Sequence, residues 1–262
     1  MAVLFAKDPS EHEAVCDLHG GLTNLALTVQ DDSAARPLFD RLQKVFYSDA
    51  IYTESKRWLE RYKPECEVEE REYPDIDWAY HYFVASWMGR NGVAGTARIN
   101  YQIATRWTKG GGSGPLRFRN AVDSIPAWAD RLRNVHILRR DVFDVLPKIK
   151  DDDGVAVYCD PPYLPGTVSG NSKYIHDFSP ADHERLAGEL RRFRKARVVV
   201  SYYADPQLQE LYPAWIMLDC SRHKHLSVQN KREMGRKDAP EILLVNGAPA
   251  GAGGNGLFQE VP

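Results

Sequence analysis

Gly154-Val155-Ala156-Val157-Tyr158-Cys159-Asp160-Pro161-Pro162-Tyr163 is the stretch on which the fold turns. Small and β-branched apolar residues stopped by two prolines predict a buried strand that ends abruptly at a rigid polar corner. In α/β proteins, ligands bind just beyond the carboxyl ends of such strands. Asp160 offers acceptor oxygens, and the two prolines fix φ and donate no N–H, so local carbonyls can accept hydrogen bonds at a defined place. Tyr163 adds a flat ring. Acceptors beside a stacking surface suit the exocyclic amine of a nucleobase. The plainer reading of the same residues is a Pro-Pro turn with a surface Asp.

Outward from this corner the chain alternates strands and helices. Ala14-Val15-Cys16-Asp17 reads as a short strand ending in an acid, and Val135–Leu138, Arg197–Tyr202, Trp215–Leu218 and Glu241–Asn246 read as further strands, the last closing the sheet. An acid at a strand end can accept hydrogen bonds from a ribose, although Asp after a strand is commonly a turn former or helix cap. The apolar start, Met1–Ala6, looks like a helix entered midway. Helical spacing of apolar residues predicts helices over 18–27, 34–47, 77–87 and 120–133. Ser179 and Pro180 are cap and first residue of another, running to about Lys195. The stripe Trp78, Tyr82, Phe83, Trp87 reads as core, and the Gly/Ala/Pro-rich tail, 247–262, as disordered.

With 262 residues and 43% apolar composition the chain can bury a sizeable core, and one large domain or one domain with an insertion is expected. The sequence has no apolar run long enough to cross a membrane and no export signal at its start, which points to a soluble, cytoplasmic protein. Four well-separated cysteines without C-x-x-C pairing argue against a zinc site or a disulfide framework, so no metal is expected.

The net charge is −2, but it is segregated. Residues 54–77 carry nine acids and five bases, residues 90–140 ten bases and two acids, and residues 222–237 six Lys or Arg, two His and one acid. Such blocks are often solvated helix faces. On either side of a base pocket they also suit a phosphate backbone, as does the basic, glycine-rich stretch Arg106-Trp107-Thr108-Lys109-Gly110 to Gly114.

The order strand-Asp17, strand-Asp141-x-Phe143, strand-D-P-P-Y at Asp160–Tyr163, then Val198–Tyr203 and Glu241–Asn246 resembles the Dam-like alpha group of N6-adenine-specific DNA methyltransferases. Tyr174, Phe178, His183 and the Arg106-Trp107-Thr108 region add to the resemblance, which covers roughly residues 1–246. It implies an α/β fold of the Rossmann-like S-adenosylmethionine-dependent methyltransferase kind, a mixed sheet with helices on both faces. Residues 1–45 and 135–246 would form the catalytic domain and residues 46–134 an inserted target-recognition domain.

By the resemblance, Asp17 binds the ribose of S-adenosyl-L-methionine, and Asp141 with Phe143 holds its adenine ring. Asp160 with a carbonyl of Pro161 or Pro162 accepts the N6 amino group, and Tyr163 stacks on a flipped base. Candidate contacts to double-stranded DNA are Arg106, Lys109, Arg117, Arg119, Tyr174 and Lys224. A monomer in a restriction-modification or phage setting is the implied context.

In one respect the sequence departs from that pattern. The family's aromatic-x-Gly-x-Gly turn precedes the segment matching Val3–Phe5, so the first strand and its glycine turn are expected to be missing and cofactor binding to be weak or absent. The expectation is a methyltransferase whose gene begins upstream of Met1. A DNA-binding remnant without activity and an RNA adenine methyltransferase are the alternatives. D-P-P-Y favours adenine N6 over cytosine N4, where Ser often replaces Asp, and over glutamine, where Asn is usual.

Overall fold

The structure, a computed structural model, describes residues 2–62, 74–89, 102–105, 107, 112–164, 175–220, 241–247 and 259–260. The chain divides into two compact units, one through residue 142 together with residues 175–176, the other from residue 143 onward.

The first unit begins with helix α1 (Ala2–Ala6) and strand β1 (Glu13–Cys16), followed by α2 (Gly20–Gln30) and α3 (Asp32–Gln43). Helices α4 (Asp49–Tyr62), α5 (Ile76–Met88), α6 (Gly114–Asp123) and α7 (Ile125–Leu132) lead to strand β2 (Val135–Leu138). β1 and β2 pair in parallel, Cys16 opposite Leu138, so their carboxyl ends lie side by side. Asp31 closes α2 and opens α3, its carboxylate accepting from the backbone of Ser33 and Ala34. That double use is possible because a short acceptor side chain satisfies the N–H groups a new helix leaves orphaned.

α5 is the centre of this unit. Its Trp78, Tyr82 and Phe83 are buried, as the aromatic stripe predicted, whereas Trp87 of the same stripe is 38% exposed; the three share one core with Met88, with Ala26 and Val29 of α2 and with Leu38 and Leu42 of α3. Asn24 of α2 holds the start of α5 with a reciprocal pair, Nδ2 donating to Asp75 O at 2.8 Å and Oδ1 accepting from Asp75 N at 2.9 Å. Leu4, Val45, Tyr52, Leu59 and Phe118 lie in the same core, and the division into compact units falls at Val142/Phe143. Two details differ from expectation. The single helix over 120–133 is two helices parted at Ser124, where Pro126, with no N–H to carry the ladder on, takes a place in the first turn of the second. α3 stops at Gln43, leaving Val45–Tyr47 outside it.

The second unit starts with the short helix α8 (Val142–Val145, entered from the first unit) and strand β3 (Ala156–Cys159), then α9 (Pro180–Leu190), β4 (Arg197–Tyr203), α10 (Gln207–Leu211), β5 (Ile216–Asp219), β6 (Glu241–Val245) and β7 (Gln259–Glu260). The sheet order is β3-β4-β6-β5-β7, parallel only between β3 and β4. It is a mixed sheet, compatible with a methyltransferase fold. β6 is internal rather than closing the sheet: its alternating Ile242 and Leu244 are buried, and it pairs on both sides. The last place is taken by β7, so part of the tail expected to be disordered is a strand, drawn in by the backbone edge that β5 presents at Leu218 and Asp219.

Ser179 and Asp182 form a reciprocal capping box at the start of α9, with Pro180 as first residue. α9 ends at Leu190, short of Lys195. The turn that follows is tied down by Asp151, which accepts the backbone N–H groups of Arg194, Lys195 and Ala196. Asn246 clamps the same turn to β4, accepting from Val198 N at 2.9 Å and donating to Ala196 O at 2.8 Å and Phe193 O at 3.3 Å.

β3 is not the fully buried strand its composition suggests. Its burial alternates, and Tyr158 is 42% exposed, because among the described residues β3 has β4 as its one neighbour.

Candidate active site

The candidate residues divide between the two units. In the second, β3 delivers Asp160 to the surface directly after Cys159, and the two prolines carry the chain without regular structure to Tyr163 and Leu164. Leu164 is buried and anchors the far side of the corner. Tyr163 is half-buried, and its ring rests on that of Tyr203 at the end of β4, centroids 4.2 Å apart and planes tilted by 44°. Ser201, on the same face of β4 two residues earlier, is buried, and its hydroxyl interacts with both Tyr158 and Tyr163.

The electrostatics of the corner have one sign. Burial, and then the Asp160 carboxylate, push the hydroxyls of Tyr158 and Tyr163 above the ordinary phenol value, a rise that the Ser201 hydrogen bond partly offsets. Burial pushes the Cys159 thiol up to about 12, again with help from Asp160. Both phenols and the thiol are therefore neutral at physiological pH. Asp160 presents its charge among neutral hydroxyls, a field that attracts an amine and has no nucleophilic thiolate in it.

Behind β4, His183 of α9 is buried and its Nδ1 lies 2.9 Å from the Tyr202 hydroxyl; burial lowers its pKa, which favours the neutral ring. Phe178 packs edge-on against His183 and stacks on Phe143 at 5.9 Å. Phe143 is itself buried, and the Arg185 guanidinium lies 4.0 Å from its ring centroid.

In the first unit the structure brings Asp17 and Asp141 to neighbouring strand ends. The Asp17 backbone N–H donates to Leu138 O at 3.1 Å, and the Cys16 thiol lies 3.1 Å from Arg140 O. Asp17 is exposed, and its Oδ1 accepts from the His19 N–H at 2.8 Å, the turn-forming role that an Asp in this place commonly has. Two carboxylates at adjacent strand ends fit a ligand that donates hydroxyl hydrogen bonds.

Of the DNA-contact candidates, Arg117 and Arg119 lie on α6, Arg119 exposed and donating to Gln43 O at 3.0 Å. Arg106, Lys109, Tyr174 and Lys224 lie outside the described residues. Gly114, read from sequence as part of a phosphate-approaching loop, has a packing reason of its own: a Cβ there would stand 2.6 Å from Ala104 O and closer still to the Tyr47 hydroxyl.

The sequence matches the D12 class N6 adenine-specific DNA methyltransferase family over residues 1–234. The chain belongs to that family. No individual curated protein matches it. The D-P-P-Y corner of this methyltransferase family member is thus assembled at a strand's carboxyl end, as the motif required. Tyr203 and Ser201 were not singled out from sequence. Their i, i+2 spacing on a strand, facing the side on which Tyr163 returns, was the available signal.

Proposed function

We propose that the chain is a site-specific DNA adenine-N6 methyltransferase that uses S-adenosyl-L-methionine and acts on an adenine turned out of the duplex. The observation that carries this reading is the corner itself: the exposed Asp160 carboxylate beside two prolines, with the Tyr163 ring braced on Tyr203.

Within this reading Asp160 and a carbonyl of Pro161 or Pro162 accept the two N6 hydrogens. Holding both localises the nitrogen lone pair in one direction, where the otherwise weak nucleophile faces the methyl group. Tyr163 stacks on the extrahelical base, and stacking with edge hydrogen bonds offsets the few kcal/mol of unpairing. S-adenosyl-L-methionine, when bound, supplies a methyl group on a good leaving group. Asp17 would hold its ribose and Asp141 with Phe143 its adenine. For Phe143 to make that contact the exposed Arg185 head must move from its ring. Arg106, Lys109, Arg117, Arg119, Tyr174 and Lys224 would contact DNA, with target recognition in 46–134 and catalysis in 1–45 and 135–246. The chain would act as a monomer in a restriction-modification or phage setting.

A second reading, a DNA-binding relative that does not methylate, is favoured by one observation. Of the residues proposed to hold the methyl donor, Asp17 already accepts from the His19 N–H through Oδ1, and Phe143 has the Arg185 guanidinium 4.0 Å from its ring centroid. Expression in a methylation-deficient host followed by single-molecule sequencing separates the two. N6-methyladenine at a defined motif, lost in Asp160→Ala, supports the enzyme. Unmodified host DNA together with retained duplex affinity supports the second reading, and loss of both refutes each.

A further inference from the structure

The connection from α3 to α4 turns an aromatic ring into solvent. Val45 is buried, and the Tyr47 hydroxyl donates to Ala104 O at 2.7 Å while its ring packs edge-on against Phe118. Phe46, held between these two anchors, is 81% exposed. An isolated apolar side chain on a surface needs no explanation, but one fixed outward by buried neighbours forgoes burial that its own segment could have supplied.

The surroundings of Phe46 are cationic. Lys44 is exposed two residues away, and Arg119 reaches from α6 to Gln43 O at 3.0 Å, placing its guanidinium at the start of the same connection. Arg117 is close enough to Tyr47 to oppose the rise that burial causes in its pKa. Neither 41–48 nor 112–122 contains a carboxylate. Leu116, at the start of α6, is 52% exposed, and Trp107, three residues past the Ala104 that Tyr47 binds, is 69% exposed. Exposed rings beside Lys44 and Arg119 match a polyanion whose units have π faces, which is a nucleic acid. A lipid surface would meet the same charges, but nothing in it would stack on a ring.

We infer that Phe46 is a base-stacking contact to DNA, flanked by Lys44 and Arg119 as phosphate contacts. The inference rests on the DNA-modifying reading above and adds to it a residue and a mode of contact. Such a ring wedges against an unstacked step, and the neighbouring cations set its register on the backbone.

Fluorescence anisotropy with a labelled mixed-sequence duplex carrying one unpaired base tests it, together with anionic phosphatidylglycerol vesicles. Phe46→Ala is expected to weaken duplex binding by about 5- to 100-fold, to leave the slope of affinity against salt unchanged, and to leave thermal stability unchanged. Phe46→Trp should restore affinity. Lys44→Ala and Arg119→Ala should each reduce the salt slope by about 0.9. Wild-type affinity in Phe46→Ala, with the native chain binding well, overturns the inference and leaves the DNA reading standing. Failure of the native chain to bind any duplex at low salt overturns both. Phe46-dependent binding to vesicles, with DNA binding indifferent to residue 46, also overturns it.

Discussion

Replacing Tyr203 by alanine removes the ring on which Tyr163 rests, 4.2 Å between centroids, and leaves Asp160 and both prolines in place. Aromatic pairs contribute about 0.5–1.5 kcal/mol beyond the area they bury. A base stacked on an aromatic side chain gains about 1–3 kcal/mol. A Tyr163 ring no longer held at one tilt loses part of that second quantity, so the loss in transition-state binding should be about 1–2 kcal/mol, or roughly 5- to 30-fold in kcat/KM. Tyr203→Phe keeps the ring and should stay within about threefold of the native protein, since the contact is one of faces rather than hydroxyls. The assay is methyl transfer to a duplex containing the host-identified motif, at a temperature well below either variant's unfolding. Duplex affinity, measured in parallel, should fall by no more than kcat/KM does in Tyr203→Ala and stay native in Tyr203→Phe. Native kcat/KM in Tyr203→Ala would show that Tyr163 holds its position without support. Equal damage in Tyr203→Phe would show that the hydroxyl, not the ring, matters.

Three other outcomes are expected. Asp160→Ala should abolish methylation while leaving DNA affinity within about twofold, because phosphate contacts dominate affinity; a large drop in affinity would place Asp160 in DNA binding instead. Asn246→Ala removes one acceptor and two donor contacts that join β4, β6 and the turn before β4, leaving half-buried backbone groups unpaired. It should lower stability by about 2–4 kcal/mol, read as a lower urea midpoint at constant m. Glu13, held first by Arg131 (2.6 and 2.9 Å) and then by Lys7, has its pKa lowered to about 2. Its folded value lies below the unfolded one, so its contribution is complete above about pH 4.5 and lost as pH falls towards 2. In Arg131→Met the thermal midpoint should fall less between those pH values than in the native protein, and parallel curves would refute the assignment.

What the sequence could reveal followed from how local each determinant is. The strands ending at Cys16, Leu138 and Tyr203 were legible because β-branched runs and polar stops act within a few residues. The Ser179–Pro180 helix start was legible for the same reason. α4 was not, since its segment is charged and polar: the buried positions Tyr52, Ser55, Lys56 and Leu59 keep helical spacing, yet two of the four are polar and hide the apolar stripe. The place of β6 inside the sheet depends on which strands arrive beside it, which no pattern within Glu241–Val245 specifies. The same contrast holds at the site. D-P-P-Y is contiguous and was read directly, whereas its brace is Tyr203, forty residues on, and depends on the β3–β4 pairing that sets Cys159 opposite Val200.

That pairing also bears on why an acid, and not an amide, suits residue 160 in the proposed reaction. Attack by a neutral amine on a methyl group leaves positive charge on the nitrogen, so the transition state gains most from a fixed negative group within hydrogen-bond reach. The register places Ser201 and Tyr203 beside the corner as hydroxyl-bearing side chains, and burial, with the Asp160 carboxylate adding to it, keeps Tyr158 and Tyr163 from ionising. The carboxylate is thus the charged partner offered to the amine, with phenols that brace and stack but do not compete for the proton. Asp160→Asn would keep the shape and one acceptor oxygen while removing the charge. If the charge matters as argued, its kcat should fall by at least about tenfold, with KM for DNA nearly constant; an equal change in both would reduce Asp160 to a binding contact.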